Sequence, residues 1–264
     1  GERVNAEMKK TKIAEFDAWE IGSNVVVLEN LHFYPGEKAN DPAFADQLAA
    51  LGDIYVNDAF AVCHRNHASV VGVPARLPHF SGIRLQKEVE VLGSVLKNPR
   101  RPLVVIVGGK KIETKLPLVS KMVSFADRVL VGGSIAKETR EVHPNLTVAA
   151  LNSEGTDISQ QSIEHFKEVI TTAKTIVWNG PLGVIHDSLF MIHNSNEDTE
   201  RGTREVATAI TESTAYKVVG GGDTTEFVKR IGLIDHFDFI STGGGAMLTF
   251  LSGEKLPGLE ALTS

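Results

Sequence analysis

Five glycine-rich turns and the lysines beside one of them carry the chemistry that this sequence could perform. Each turn follows a short β-branched run typical of a buried parallel strand. Glycine allows the backbone to approach a ligand closely, and a helix that begins at such a turn offers free N–H groups to an anion. The set predicts a phosphorylated ligand. The turns are Gly108-Gly109, Gly132-Gly133, Asn179-Gly180-Pro181, Gly220-Gly221-Gly222-Asp223-Thr224 and Gly243-Gly244-Gly245.

The fourth turn has the most distinctive chemistry. Val218 and Val219 run into three glycines, and Asp223 and Thr224 then open a predicted helix. Phosphate oxygens could rest on the N–H groups of that helix. Alternatively, Asp223 and Thr224 only cap the helix while the glycines close a tight turn. The turn is not a Walker motif, because no lysine follows the glycines.

Cations follow the first turn. Lys111 and Lys115 are four residues apart, so they share one face if a helix begins there and could reach the same phosphates. The alternative is that they are ordinary surface lysines, which are common at this spacing. The position directly after a strand and Gly108-Gly109 favours the binding role.

Two further segments contain polar groups at strand ends. Asn179 could point its amide at a phosphoryl group, with Leu182 or Val184 as an apolar wall for a base, although Asn-Gly-Pro is also an ordinary turn sequence. Arg65, flanked by His64 and His67, forms a cationic cluster suited to a carboxylate or phosphate. A metal site is disfavoured there, because the chain has one cysteine and the histidine spacing matches no closed ligand set.

The elements that must position these residues alternate between strand and helix, which predicts parallel sheets covered by helices. An apolar helical pattern over 84–97, stopped by Pro99 and Pro102, separates a first block from a second block that contains all five turns. In the second block the strand candidates are Leu103 to Val107, Arg128 to Val131, Thr175 to Trp178, Lys217 to Val219 and Phe237 to Ile240, and the helix candidates are Ile163 to Thr171, Glu205 to Glu212 and Thr224 to Ile231. In the first block we predict a polar helix over Glu2 to Glu20, strands at Val25 to Leu28 and Asp53 to Asp58, and a helix at Pro42 to Leu51.

Composition narrows the class of protein. A net charge of −6 and a pI near 5.9 provide no overall attraction for nucleic acid or an anionic membrane. A single cysteine and the lack of a long apolar run or basic leader predict a cytoplasmic protein. We expect small-molecule ligands and a monomer. Because residue 1 is glycine and a polar pattern follows, we expect a processed chain, a trimmed chain or a fragment.

Together these motifs resemble phosphoglycerate kinase, in the same order along the chain from about Val25 to Leu262. The matching segments are Glu29-Asn30-Leu31-x-Phe33, Asn57 to Ser69, Gly108-Gly109-x-Lys111-x-x-x-Lys115, Trp178-Asn179-Gly180-Pro181, Gly220 to Thr224 and Ser241 to Ala246. The resemblance implies an α/β protein with two Rossmann-like parallel-sheet domains joined by a helix. It implies phosphoryl transfer between 1,3-bisphosphoglycerate and ADP in glycolysis and gluconeogenesis, with Mg²⁺ bound to the nucleotide. We predict a partial phosphoglycerate-binding domain over 1–83, a helix over 84–99 and a nucleotide-binding domain over 100–264.

The resemblance also implies residue roles. Lys111 and Lys115 would bind phosphates, with Lys115 at the transferred group, and Asp223 would hold Mg²⁺. Thr224, Asn179, Gly109 and the turn Gly220, Gly221 and Gly222 would contact the nucleotide, with Gly243 to Gly245 completing the cradle. Arg65, His64 and His32 would bind the phosphoglycerate, and Arg65 would also serve the reaction.

Departures from the family pattern concern mainly the substrate side. About the first quarter of the family sequence, with its Asp-x-Asn and His-x-Gly-Arg segments and an essential arginine, has no counterpart, so the N-terminal domain is incomplete. His32 replaces an arginine, and His186 replaces a ribose-binding glutamate for which Glu197 or Glu200 could substitute. The middle, between Gly133 and Trp178, is short, and Lys137 to Asn152 fits the family poorly. A deletion or missing sequence would account for this. The alternative function is a non-catalytic nucleotide-binding or interaction protein of the same fold.

Overall fold

The protein folds into two compact units. A computed structural model describes residues 8–110, 112–186 and 199–263. The smaller unit contains residues 1–57, 65–81 and 257–264, and the larger unit contains residues 58–64 and 82–256.

A six-stranded parallel sheet forms the centre of the larger unit. In chain order its strands are β6 (Leu103–Val107), β7 (Arg128–Val131), β8 (Leu146–Val148), β9 (Thr175–Asn179), β10 (Tyr216–Gly220) and β11 (Phe239–Ser241). They lie side by side in the order β11-β10-β9-β6-β7-β8. Every residue of the two central strands, β6 and β9, is buried, as expected for a parallel sheet covered on both faces.

Seven helices belong to the described part of this unit, and several place apolar residues against the sheet. Phe166 and Ile170 of one helix and Val206 and Ile210 of another are fully buried in the same core cluster as Trp178. Helical spacing of these residues explains why the two segments fold as amphipathic helices. The helices are α3 (Ile83–Lys97), α4 (Ile112–Met122), α5 (Ser134–Glu138), α6 (Gln160–Thr172), α7 (Arg201–Glu212), α8 (Gly222–Arg230) and α9 (Gly244–Leu251).

The sheet reverses its direction of growth between β6 and β9. The chain adds β7 and β8 on one side of β6, and then β9, β10 and β11 on the other. In open α/β sheets, ligands bind in the crevice at the carboxyl ends of the strands at such a switch point. Both strands end in predicted glycine turns, Gly108-Gly109 and Gly180-Pro181. The sheet topology therefore predicts the ligand-binding site at this edge.

The smaller unit combines an antiparallel sheet with a short parallel pair. Strands β1 (Met8–Ile13), β2 (Phe16–Ile21) and β3 (Val25–Leu28) form the antiparallel sheet, and β4 (Tyr55–Asn57) pairs with β5 (His79–Ser81) in parallel. Its core includes Phe16, which packs edge-on against the rings of Tyr34 and Phe44. Helices α1 (Pro35–Ala39), α2 (Pro42–Ala49) and α10 (Pro257–Glu260) complete this unit.

The structure corrects the polar helix predicted for the N-terminal segment. In its described part, Met8 onwards, the chain forms the β1-β2 hairpin. Phe16 and Ala18 are both fully buried and are two residues apart, a strand period that places both on one face. Packing of Phe16 against the aromatic rings outweighs the helical preference of the polar residues.

The other predicted elements are found with small shifts at their ends. The last strand begins at Phe239 rather than Phe237. The compact units also differ from the contiguous division predicted at 83 and 99. Residues 257–264 group with the smaller unit, where α10 contacts the turn Ala68–Gly72, and residues 58–64 group with the larger one. In the described part of the chain, no helix is long and apolar enough to cross a membrane.

Candidate functional site

Lys115 lies at the switch point of the large sheet. Its Nζ donates a hydrogen bond to the carbonyl oxygen of Gly108 at 2.6 Å. A Cβ placed on Gly180 would lie 2.6 Å from the same nitrogen, so the ammonium group lies directly against the Gly180 backbone. The α4 helix therefore delivers a half-buried cation to the carboxyl ends of β6 and β9. An ammonium group in this position can neutralise the charge of a phosphoryl group.

Buried threonines hold the turn that follows β9. The Thr224 hydroxyl, fully buried, accepts a hydrogen bond from the Gly180 N–H at 2.8 Å. The Thr203 hydroxyl accepts from the N–H groups of Leu182 and Gly183 at 3.0 and 3.2 Å. Buried N–H groups must find acceptors, and these two side chains supply them. Thr203 was not predicted from the sequence, because a threonine inside a helical pattern shows no sign of such a partner.

The N-terminus of α8 lies beside this turn. Gly221 precedes the helix with a φ of 96°, a conformation that favours glycine, and it makes no side-chain capping bond. Asp223, in the first turn, is exposed, whereas Thr224 is buried. The two residues therefore face different surroundings. Thr224 binds the neighbouring turn, and Asp223 presents its carboxylate outward at the helix N-terminus.

Two glycine turns meet at Asn179. The Asn179 amide nitrogen donates to the carbonyl oxygen of Gly244 at 2.9 Å. A Cβ on Gly244 would lie 2.6 Å from the Gly221 Cα, which shows how closely the two turns approach each other. Since an amide nitrogen carries two hydrogens, this contact occupies one of them. Asn179 is 1% exposed, so any ligand reaching it must enter between the turns.

Glu88 fixes the last glycine turn and was missed by sequence reasoning. It lies on α3, is fully buried, and its Oε1 accepts from the N–H and hydroxyl of Thr242 at 2.7 and 2.8 Å. Arg84 lies 3.6 Å from the same oxygen. The residue before Gly243-Gly244-Gly245 is therefore tied to a helix distant in sequence. A glutamate in an amphipathic helix is normally assigned to the solvent face, so the pattern hides this role.

A small glycine-lined pocket of about 10 Å³, called the glycine groove below, lies beside the switch point. Gly109, Gly133 and Gly183 line it together with Leu182 and Val184. The two apolar side chains are those predicted to form a wall for a base. A wider cleft extends the other way along α8, where Asp223 and His186 are among the lining residues. Lys110 borders both regions.

The predicted nucleotide residues are thus gathered at one edge of one sheet, with one exception. Lys111 lies outside the described residues. Glu197, offered as a replacement for a ribose-binding carboxylate, also lies outside them. Glu200, the other candidate, accepts hydrogen bonds from the His186 N–H and from Arg230. Its carboxylate is therefore engaged with protein groups.

The predicted cationic cluster divides between the two units. Arg65 and His32 belong to the smaller unit, where the rings of His32 and His67 meet edge to face with centroids 5.2 Å apart. His64 belongs to the larger unit, beside Gly245, where a Cβ would lie 3.5 Å from its Nε2. The joint role of these residues in binding phosphoglycerate stays a prediction.

The buried carboxylate of Glu37 organises the histidine side of this cluster. Its oxygens accept from the Ser69 N–H and hydroxyl at 3.0 and 2.6 Å, and one lies 3.6 Å from His67 Nδ1. Burial lowers the pKa of His67; the Glu37 charge opposes this, while Arg65 and other nearby cations lower the pKa further. The lowered pKa favours the neutral form of the His67 imidazole.

We expect His67 to make the stability of the protein depend on pH. Its pKa in the folded state lies below the ordinary value of 6.5, so the unfolded chain binds the proton more readily. The contribution of His67 to the free energy of unfolding is then fully present above about pH 6.5 and is lost as the pH drops through 6.5 towards the folded-state pKa. Urea unfolding between pH 8 and pH 5 should show a steeper decline for the parent than for His67→Gln. Equal slopes in the two proteins would contradict this role of His67.

Asp223 is the group that could hold a divalent cation. In the described part of the chain no cluster of three or more histidine, cysteine, aspartate or glutamate side chains could bind a metal alone. Mg²⁺ is commonly bound by one or two carboxylates together with substrate phosphates and water. One exposed carboxylate beside a phosphate-binding turn fits that requirement.

Comparison with known proteins decides the family. The sequence model of phosphoglycerate kinase matches residues 4–154 and 136–254, which is nearly the whole chain. The chain belongs to the phosphoglycerate kinase family. The fold class, the enzyme class of phosphotransferase and the function predicted from the sequence are thereby confirmed, and nothing in the comparisons supports the non-catalytic alternative.

Individual phosphoglycerate kinases are similar over most of their length. The chain is 38% identical to the phosphoglycerate kinase of Rubrobacter xylanophilus over 291 residues, covering 92% of this chain and 72% of the relative. It is 39% identical to that of Salinispora tropica, covering 91% and 71%. Because 291 aligned positions exceed the 264 residues of this chain, the relative contains segments without a counterpart here.

Solved phosphoglycerate kinases share the fold. The crystal structure from Pyrococcus horikoshii superposes with a TM-score of 0.74 at 29% identity, covering 89% of this chain and 71% of the other. The structure from Coxiella burnetii gives a TM-score of 0.69 at 33% identity with the same coverage. The phosphoglycerate kinase fold therefore extends over nearly all of this chain.

Proposed function

We propose that this chain transfers a phosphoryl group between 1,3-bisphosphoglycerate and ADP, yielding 3-phosphoglycerate and ATP. Family membership supports the reaction, and the position of Lys115 is the observation that assigns it to particular residues. Lys115 presents its ammonium group at the sheet switch point, against the Gly108 and Gly180 turns. Phosphoryl transfer requires positioning and charge neutralisation rather than a covalent intermediate, and this geometry can supply both.

The nucleotide phosphates would lie between Lys115 and the N-terminus of α8. The first turn of a helix has N–H groups without partners inside the helix, and the helix dipole favours an anion there. Lys115 would neutralise charge on the transferred group, with Lys111 as a second cation. Gly109 and the turn of Gly220 and Gly222 would let the phosphates approach the backbone.

The remaining predicted nucleotide residues take supporting positions in this proposal. The Asn179 amide would donate its second hydrogen to the transferred group. Thr224 would hold the Gly180 turn, through its 2.8 Å hydrogen bond, in the shape that receives the phosphates. Leu182 and Val184 would form an apolar wall for the base beside this turn.

Mg²⁺ would be held by Asp223 together with the nucleotide phosphates. When bound, the ion offsets phosphate charge and so lowers the repulsion between donor and acceptor. Asp223 is suited to this because its carboxylate is exposed in the first turn of α8.

The phosphoglycerate would bind to Arg65, His64 and His32. A guanidinium group can donate two parallel hydrogen bonds to a phosphate or carboxylate, and Arg65 is exposed and able to do so. His32 offers a weaker donor than the arginine of the family motif, and its charge depends on pH. We therefore expect weak binding of 3-phosphoglycerate relative to MgADP.

Binding of MgADP should stabilise the protein against heat. A ligand at 100 times its Kd adds about 2.7 kcal/mol of stability, which corresponds to a rise in Tm of about 5–10 °C for a chain of this size. Differential scanning fluorimetry with ADP and Mg²⁺ should show the rise, and ADP with EDTA should show a smaller one. Asp223→Asn should abolish the difference made by Mg²⁺. An unchanged Tm of the parent in saturating MgADP would exclude the proposed nucleotide site.

A coupled assay of ATP formation from ADP and 1,3-bisphosphoglycerate tests the reaction itself. Binding of MgADP without turnover would instead favour the non-catalytic alternative. The cytoplasm as location, predicted from the single cysteine, and the monomeric state stay predictions. Size-exclusion chromatography with light scattering tests the second.

A further inference from the structure

Arg230 belongs to a network of hydrogen bonds around Val184 to His186, the segment that follows the β9 turn. It is the last residue of α8, and its two terminal nitrogens donate to different groups. Nη1 donates to the carbonyl oxygen of His186 at 2.7 Å, and Nη2 donates to Oε1 of Glu200 at 2.6 Å. Its guanidinium also lies over the Phe227 ring, 5.1 Å from the centroid. The Arg230 side chain thus connects α8 to His186 and to Glu200, the residue before α7.

The Glu200 carboxylate also binds this segment directly. Oε1 of Glu200 accepts from the His186 N–H at 3.0 Å, so the backbone of His186 is bound through both its N–H and its carbonyl oxygen. Thr199 makes further contacts with the same segment. Its hydroxyl donates to the carbonyl oxygen of Val184 at 2.7 Å and contacts His186 Nε2 at 3.0 Å.

This segment forms walls of both regions proposed for the nucleotide. Val184 lines the glycine groove, whereas Ile185 and His186 line the cleft along α8. Glu200 is 15% exposed and is not among the residues that line either region. Arg230 itself lines the cleft along α8 beside Ile185 and His186, so its contacts hold this wall from the side of the cleft. The first turn of the helix that carries Arg230 bears Asp223.

We propose that Arg230 is a positioning residue for nucleotide binding, which fixes the wall of Val184 to His186 relative to α8. The inference rests on the proposed function, because it concerns the same nucleotide site. A guanidinium suits this task since its planar fork satisfies two acceptors at once, which the ammonium group of lysine cannot do in the same geometry. Loss of the guanidinium removes the hydrogen bonds that join the wall to α8, leaving only those of Glu200 and Thr199, and the Glu200 carboxylate keeps one fewer cation.

Steady-state kinetics with Arg230→Ala tests this role. We expect the KM for ADP to rise about tenfold or more, while kcat and the KM for 1,3-bisphosphoglycerate change by less than about threefold. Arg230→Lys should give an intermediate KM for ADP. A residue that only stabilised the fold would lower the Tm without separating the two KM values.

Arg204→Ala is the matched control. Arg204 is a second cation beside Glu200, at 3.6 Å from Oε2, and it lines neither the groove nor the cleft. Its removal takes away the same charge without touching the wall, so the KM for ADP should stay within about twofold. An equal rise in Arg204→Ala and Arg230→Ala would overturn the proposal, because the charge of Glu200 would then be responsible. An unchanged KM for ADP in folded Arg230→Ala would also overturn it.

Calorimetric titration with MgADP separates this inference from the proposed function. If the parent does not bind MgADP, the nucleotide site itself is wrong. If the parent binds and Arg230→Ala binds equally well, only the role of Arg230 fails. Should Arg230→Ala not fold, the same comparison is made with Arg230→Lys, for which an affinity equal to the parent's would count against the role.

Discussion

Replacing Lys115 by alanine is expected to lower kcat for ATP formation about 10²–10³-fold, the usual effect of removing one group that stabilises charge in a transition state. The ammonium group at the switch point is the cation placed by the structure against the Gly108 and Gly180 turns. Its hydrogen bond to Gly108 contributes about 1 kcal/mol, so the Tm should fall by no more than about 4 °C. Turnover is measured in the coupled assay and folding by thermal melting.

Lys121→Ala provides the control on the same helix. Lys121 is about half exposed, pairs with Glu254 at the surface, and lines neither the groove nor the cleft. Its loss should leave kcat within about twofold of the parent, because exposed ion pairs contribute little. A Lys115→Ala variant as active as Lys121→Ala would remove Lys115 from the reaction.

Replacing Gly180 by alanine should damage both folding and activity. Gly180 has a φ of 97°, and an added Cβ would lie 2.0 Å from the Gly108 carbonyl oxygen. Neither atom belongs to a flexible side chain, so the strands β6 and β9 must separate at the switch point. The strained backbone alone costs about 1–3 kcal/mol. We expect a loss of at least about 3 kcal/mol in the free energy of unfolding, measured in urea, and loss of MgADP binding.

Gly93→Ala is the matched substitution, and it is expected to raise the free energy of unfolding rather than lower it. Gly93 lies inside α3, and a Cβ there would meet nothing within 4 Å. Alanine in a helix interior is more favourable than glycine by about 0.5–1 kcal/mol. Stability should therefore rise in Gly93→Ala. If Gly180→Ala were as stable as the parent, the close approach of the two turns would not be a requirement of the fold.

Five of the six strands of the large sheet could be predicted from the sequence, most clearly the two central strands, which are buried on both faces. The edge strand β8 was not predicted, and its residues are only partly buried. Continuous β-branched runs such as Leu103 to Val107 are typical of buried parallel strands, and glycine turns mark their ends. The β1-β2 hairpin could not be predicted in this way. Half of its strand residues are polar, and its strand conformation depends on the packing of Phe16 against Tyr34 and Phe44, which are distant in the chain.

The residues of the candidate site likewise fall into those that could be predicted from the sequence and those that could not. Glycines, Lys115 and Asp223 were identified from the sequence, because each must have a particular residue type to approach or offset a phosphate. Thr203, Glu88 and Arg230 were not, because each acts on backbone groups far away in the chain. Such partners become visible only when the fold brings the segments together.

The sequence by itself determined the family, the order of the strands along the chain and the residue types at the phosphate-binding turns. These properties are local, since they depend on side-chain size, charge and spacing. Only the tertiary structure decided that Thr224 faces inward while its neighbour Asp223 faces outward, and that Arg230 ties the wall segment to α8. Those outcomes depend on which buried N–H and carbonyl groups need partners, and the need arises only after the strands and helices have packed.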